Sequence, residues 1–241
     1  MSAVIIPARY ASERLPGKPL KKIDGIPMIV RVATSCLKSK ADRVIVVTDS
    51  KEILEICEKV DGLESTMSSP DIKSGTDRVA KAAKFLNDDI IINVQGDEPF
   101  IPYQLIDRLI DDLSENVDVM MNTACTEIDD MQADNPNTVK VVFDNLMNAI
   151  YFSRSKIPYN RGNSDVKYYK HIGIYGFKRS FLMKYVDMPA SELEKTEKLE
   201  QLRVLENGHK IKVLLTDYKP LSVDTEEDLM QAEKYAKLLK N

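Results

Sequence analysis

RVIVVTDSKEILEICEKV, Arg43 to Val60, decides the fold. Arg43 to Thr48 is a continuous, largely β-branched run that stops at Thr48-Asp49-Ser50, and Lys51 to Val60 then places Ile53, Ile56 and Cys57 on one helical face. A strand that is apolar at successive positions has both faces covered, and a strand followed directly by a helix is half of a parallel βαβ unit. The alternation continues on either side. Val4 to Ile6 predicts a strand and Pro27 to Lys38 a helix, with Met28, Val32 and Leu37 in helical rhythm behind a Pro suited to a first turn. Thr76 to Leu86 predicts a helix, Ile90 to Val94 a strand, and Tyr103 to Leu113 a helix behind Pro102 with Leu105, Ile106, Leu109, Ile110 and Leu113 on one face. Residues 1 to about 115 therefore read as α/β.

The register changes after Asp134. Val139 to Phe143 and Ala149 to Phe152 predict strands around Asp144-Asn145, and Asn160 to Tyr169 is polar and turn-rich, the pattern of an excursion and not of another βα unit. His171 to Phe177 predicts a strand, Leu193 to Glu206 one helix stopped by Gly208, Ile211 to Leu215 a strand and Thr225 to Leu239 a closing helix.

The chain has 241 residues, 43% of them hydrophobic, enough to build a core and to exclude a disordered reading. Lys and Arg number 34 against 38 Asp and Glu, with the signs interspersed, which argues against a nucleic-acid or membrane-surface binder. Cys36, Cys57 and Cys125 each sit in an apolar pattern, as small buried hydrophobes of a reducing compartment do. No apolar run approaches the ~20 residues of a membrane span. The expectation is a soluble cytoplasmic protein.

Ligands of open α/β sheets bind at the carboxyl ends of the strands. The loop behind the first strand, within IIPARYASERLPGKPL (Ile5 to Leu20), gathers Arg9, Arg14 and Lys18, with Glu13 as its acid. Gly17-Lys18 is followed by Pro19, so this is no P-loop, and G-x-G-x-x-G is absent. An anion here would be held by side-chain cations and backbone amides, which suits a flexible polyphosphate. Ser74-Gly75-Thr76-Asp77-Arg78 opens a helix, either as a seat for a ligand's polar edge or as a cap. Val94-Gln95-Gly96-Asp97-Glu98-Pro99 ends a buried strand in two carboxylates, which coordinate a hard cation or face water. In Val223-Asp224-Thr225-Glu226-Glu227-Asp228, Thr225 and Asp228 satisfy a capping box, leaving Asp224 available as a ligand. Asp97 and Asp224 follow the apolar runs Ile90 to Val94 and Leu221 to Val223, so neighbouring parallel strands are expected to bring both to one ion. Cations for a polyphosphate and carboxylates for magnesium describe nucleotidyl or phosphoryl transfer.

Those segments, together with YFSRSKIPY (Tyr151 to Tyr159), HIGIYGF (His171 to Phe177) and EKTEKLEQLRVLENG (Glu194 to Gly208), run through essentially the whole chain. In that order they resemble the 3-deoxy-manno-octulosonate cytidylyltransferase (CMP-KDO synthetase) family. The resemblance implies a Rossmann-like nucleotide-diphospho-sugar transferase fold, α/β with a mixed, mostly parallel sheet. It implies a single domain with an excursion at about 134–170 that builds a homodimer and helps close the sugar site. The implied reaction transfers CMP from CTP to the anomeric hydroxyl of an acidic eight-carbon sugar for lipopolysaccharide synthesis, with Mg2+ and without a protein nucleophile. Lys18, Asp97 and Asp224 are then the catalytic residues, and Asp97 and Asp224 also the metal ligands. Arg9, Arg14, Lys18, Ser74, Arg78 and Gln95 are implied to face CTP. Gln95, Arg154, His171, Tyr175, Glu200 and Gln201 are implied to face the sugar. Glu200 and Gln201 are expected to project together from a helix whose stripe is Leu199, Leu202 and Leu205. Three alternatives stay open: the same transfer onto 8-amino-KDO, onto a sialic acid, or a non-catalytic nucleotide-binding sensor on this fold.

Overall fold

The computed structural model describes residues 1–12, 14–72, 74–162 and 164–239, so Glu13 of the opening loop lies outside the described residues. In chain order the elements are β1 (Ser2–Ala8), a 3-10 turn at Lys18–Leu20, β2 (Lys22–Ile23), β3 (Ile26–Pro27), α1 (Met28–Cys36), β4 (Arg43–Thr48), α2 (Lys51–Cys57), β5 (Glu64–Met67), α3 (Gly75–Ala83) and β6 (Ile90–Val94). Then follow α4 (Tyr103–Glu115), β7 (Met121–Ile128), α5 (Asp130–Asp134), β8 (Lys140–Phe143), β9 (Ala149–Ser153), β10 (Tyr168–Lys178), α6 (Arg179–Asp187), α7 (Glu192–Glu197), α8 (Leu202–Glu206), β11 (Lys212–Leu215) and α9 (Glu226–Leu238). The chain divides into two compact units, one made of Met1–Ile110 with Pro220–Asn241, the other of Asp111–Lys219.

In the first unit β6, β1, β4 and β5 lie side by side and all parallel, with Ile5 opposite Ile45 on one side and Asn93 on the other. Parallel direction puts the loops that begin at Arg9, Asp49 and Gln95 at the same edge of these strands. β1, β4 and β6 are buried on both faces, which is why their sequences are apolar without alternation. Ser50 Oγ accepts from Ile53 N at the start of α2, and Ser74 Oγ from Asp77 N at the start of α3. A separate core of Leu15, Ile23, Met28, Val223, Ala232 and Ala236, backed by Phe100, Leu221 and Leu229, packs α9 against the opening loop. Leu15 is fully buried, so the loop that carries the cations is anchored by an apolar side chain and is not a solvated turn.

In the second unit β11 runs parallel to β7, β7 antiparallel to β10, and β10, β8 and β9 antiparallel in turn, with a bulge in β10 between Ile172 and Tyr175. β7 is not announced by the sequence because Asn122, Thr123 and Thr126 interrupt its apolar pattern. All three are buried, and tertiary partners make that tolerable: Asn122 donates to Asp112 at 2.8 Å and Thr123 to the Ile174 carbonyl at 2.7 Å. Within this unit, residues 140–153 form the β8–β9 hairpin.

Two expectations are corrected. The helix read over Leu193 to Glu206 is two short helices, α7 and α8, separated at Lys198, which adopts the left-handed conformation with φ 55°. The break has a packing cause. Arg203 makes a two-pronged ion pair with Glu194 at 2.6 and 2.8 Å, and nine residues along one helix would turn them about 180° apart. It also lets Leu199, Gln201 and Leu202 all point inward. Leu221 to Val223 forms no strand; it is an extended segment tied to the β6 loop by Val223 N donating to the Asp97 carbonyl at 3.0 Å. Gly208, with φ 74°, does end the second helix as expected.

Candidate active site

The opening loop of the first unit is held from below and from the side. Tyr10 N donates to Asp49 Oδ1 at 2.8 Å, and the other Asp49 oxygen pairs with Arg78 at 3.1 Å. Arg78 is buried and also donates to Ser68 Oγ and to the Ile72 carbonyl. Gly17 takes φ 65°, and the chain then closes a tight turn with Leu20 N donating to the Gly17 carbonyl at 2.9 Å.

Lys18 Nζ lies 2.6 Å from Asp97 Oδ2 and 3.0 Å from Asp224 Oδ1, while Arg14 reaches Asp224 Oδ2 at 3.1 Å. Residues from the beginning, middle and end of the sequence thus meet within one ion cluster. Its side chains are 16% exposed at Lys18, 27% at Asp97 and 40% at Asp224, so the carboxylates remain reachable from solvent. Burial works to lower the Lys18 ammonium pKa, but attraction and hydrogen bonding from Asp97 and Asp224 outweigh it and raise the pKa. Burial likewise works to raise Asp224, and Lys18 and then Arg14 overcome it, holding the carboxyl below its usual range. One ammonium already bridges the two carboxylates. Hard oxygen donors this close fit a magnesium ion, which takes one or two protein carboxylates and leaves its other positions to water and ligand oxygens. Among the described residues no cluster of three or more His, Cys, Asp or Glu side chains offers a metal a fuller set.

The other nucleotide-side expectations are placed less uniformly. Arg9 is exposed at the strand end. Ser74 Oγ is occupied as the α3 cap, and Arg78 is committed to Asp49. Gln95 donates from Nε2 to Asn93 Oδ1 at 3.1 Å.

In the second unit His171 and Tyr175 share β10, with ring centroids 5.4 Å apart. Thr123 Oγ1 is 2.9 Å from His171 Nε2 and spends its single hydrogen on the Ile174 carbonyl at 2.7 Å, so His171 carries its proton on Nε2 and Nδ1 is the acceptor. Burial, helped by Lys170, pushes the imidazole down to about 3, which keeps it neutral. Burial, then the Glu200 charge, raises the Tyr175 phenol well above its ordinary value. Tyr175 donates to Gln201 Oε1 at 3.2 Å. Gln201 is 3% exposed, which corrects the expectation that it projects from the core, and its buried Nε2 has no partner among the described residues. Arg154 donates from Nε to the Glu197 carbonyl at 2.8 Å, and its backbone N–H to the Glu197 carboxylate at 3.0 Å. Buried Lys140 caps the same corner, donating to the carbonyls of Asn135, Thr138 and Arg154.

Asp49, Thr123, Lys140 and Glu197 were not singled out by sequence reasoning for these roles, and Glu98 was singled out only as one of two strand-end carboxylates. Asp49 and Glu98 had a visible signal, an acid at the end of a buried strand.

A family model described as cytidylyltransferase matches residues 3–211. The 3-deoxy-manno-octulosonate cytidylyltransferase of Fusobacterium nucleatum is 48% identical over 235 residues, covering 97% of this chain and 96% of the relative. The protein of the same name from Neisseria meningitidis is 48% identical over 240 residues, covering 94% of each. A solved structure of CMP:2-keto-3-deoxy-manno-octonic acid synthetase complexed with CTP superposes with a TM-score of 0.95 at 36% identity, covering 98% of both chains.

Proposed function

This chain belongs to the cytidylyltransferase family, and we propose that it transfers the cytidylyl group of CTP to the anomeric hydroxyl of 3-deoxy-manno-octulosonate, releasing diphosphate. The observation that carries the reading is the cluster in which Lys18 and Arg14 of the opening loop rest on Asp97 and Asp224. These carboxylates occupy the cations in the way phosphate oxygens would. A triphosphate competes for Lys18 and Arg14 with a higher charge, and both then neutralise the β- and γ-phosphates, where charge grows as diphosphate departs. Asp97 and Asp224, relieved of Lys18, are the residues that would hold magnesium. When bound, the metal orients the sugar's hydroxyl and eases its deprotonation.

The anomeric oxygen forms a bond to the α-phosphorus while the bond from that phosphorus to the β-bridging oxygen breaks, and the hydroxyl proton passes to water. The chain itself forms no covalent intermediate. On the sugar side, Gln201 Nε2 is a buried donor in need of an acceptor, which a sugar hydroxyl or carboxylate supplies. Neutral His171 and Tyr175 suit hydroxyl recognition, and Arg154 and Glu200 complete the polar set. A homodimer is supported by Leu146 and Ile150, 68% and 61% exposed on and beside the β8–β9 hairpin. A reducing, cytoplasmic location is supported by three free, buried cysteines.

The test is diphosphate release from CTP with Mg2+ and a panel of KDO, 8-amino-KDO and sialic acid. Release with KDO in preference to the others is expected. CTP binding without release on any sugar would overturn the enzyme reading in favour of a sensor, and preference for another sugar would overturn the substrate.

A further inference from the structure

Glu98 stands beside Asp97 yet does none of its work. Its side chain is buried and accepts a hydrogen bond from Ser222 Oγ. One residue along on each segment, Val223 N donates to the Asp97 carbonyl at 3.0 Å. Two adjacent hydrogen bonds therefore stitch residues 97–98 to residues 222–223, where no strand ladder does so. The far side of Asp224 is fixed as well: its backbone N–H donates to Asp228 Oδ2 at 3.0 Å, and Thr225 and Asp228 cap α9. Asp224 is thus suspended between a helix cap and the stitch, and its spacing from Asp97 depends on both. On the other flank, a side chain at Gly96 would bring its Cβ to 3.0 Å from the Pro7 carbonyl, so the loop bearing Asp97 is pressed onto the end of β1.

We propose that Glu98 and Ser222 are positioning residues that set the separation of Asp97 and Asp224 for a divalent cation, without touching substrate. The proposal rests on the reading that those two aspartates hold the metal. It is a supporting-residue role, and such residues typically change metal affinity by about 10- to 100-fold.

The experiment titrates the full chain with Mn2+ by electron paramagnetic resonance, and measures CTP binding in EDTA and the melting temperature alongside. Ser222→Ala removes the donor with little change of volume; Ser222→Thr restores a hydroxyl. Expected for Ser222→Ala is about 10-fold weaker Mn2+ binding, with CTP affinity in EDTA unchanged, and recovery in Ser222→Thr. Wild-type Mn2+ affinity in Ser222→Ala, while Asp224→Asn loses the ion, overturns the positioning role and leaves the metal reading intact. Wild-type Mn2+ affinity in both Asp97→Asn and Asp224→Asn overturns the metal reading and this proposal with it. A parallel loss of CTP affinity and melting temperature in Ser222→Ala marks a purely structural contact and also overturns it.

Discussion

In the proposed reaction Lys18 serves two anions in turn, the carboxylates of Asp97 and Asp224 and then the phosphates. Its ammonium bridges Asp97 and Asp224, and the proposed reaction would transfer it to the phosphates. Lys18→Ala should therefore lower kcat by about 10²- to 10³-fold, the usual loss for one preorganised charge at a departing group. The same variant should bind Mn2+ more tightly than wild type in the absence of nucleotide, because no internal cation competes for the carboxylates. Unchanged Mn2+ affinity would mean that the ammonium and the metal do not share a seat. For the carboxylates, Asp97→Asn and Asp224→Asn should each cut kcat severely with the melting temperature nearly intact. The double variant should be scarcely worse than either single one, as for groups acting as a unit. Losses that multiply would assign the two aspartates to separate functions.

At the scale of elements, the opening loop depends on Leu15 and β10 depends on His171. Leu15 joins a core shared with α1 and α9, so Leu15→Ala should cost about 2–5 kcal/mol in urea unfolding. It should also raise KM for CTP by loosening Arg14 and Lys18. A stable Leu15→Ala protein with an unchanged KM would detach the loop's aim from its anchor. His171 gives β10 a signature in pH. Its folded pKa of about 3 lies below the unfolded 6.5, so the unfolded chain takes up a proton first as pH falls. Its contribution to stability is present in full above pH 6.5 and is lost progressively from there towards pH 3. Between pH 7 and pH 5 the wild type should lose about 2 kcal/mol more than His171→Gln. Parallel stability curves for the two proteins would show that the imidazole is protonated in the folded state.

For the whole molecule, static light scattering should return twice the 27.3 kDa chain mass if the proposed homodimer forms, and Ile150→Asp should return the single mass. A wild-type monomer would leave the exposed hairpin without that purpose. How far the sequence carried the fold differs between the units. β4, β6, α1, α3, α4 and α9 were legible because local signals agree there: continuous apolar runs, helical periodicity and a Thr225–Asp228 capping box all act within a few residues. β7 and the break between α7 and α8 were not, because distant partners decide them, Ile174 for Thr123 and Glu194 for Arg203. The site divides the same way. By itself the sequence determined which charged residues stand at the strand ends, the cations of the opening loop and the acids at Asp97 and Asp224, since charge and residue type are local properties. Only the tertiary structure decided that Lys18 rests on both acids, that Arg78 is spent on Asp49, and that Ser222 bonds Glu98. Hydrogen bonds and ion pairs between segments 79 to 206 residues apart exist only once burial has brought those segments together.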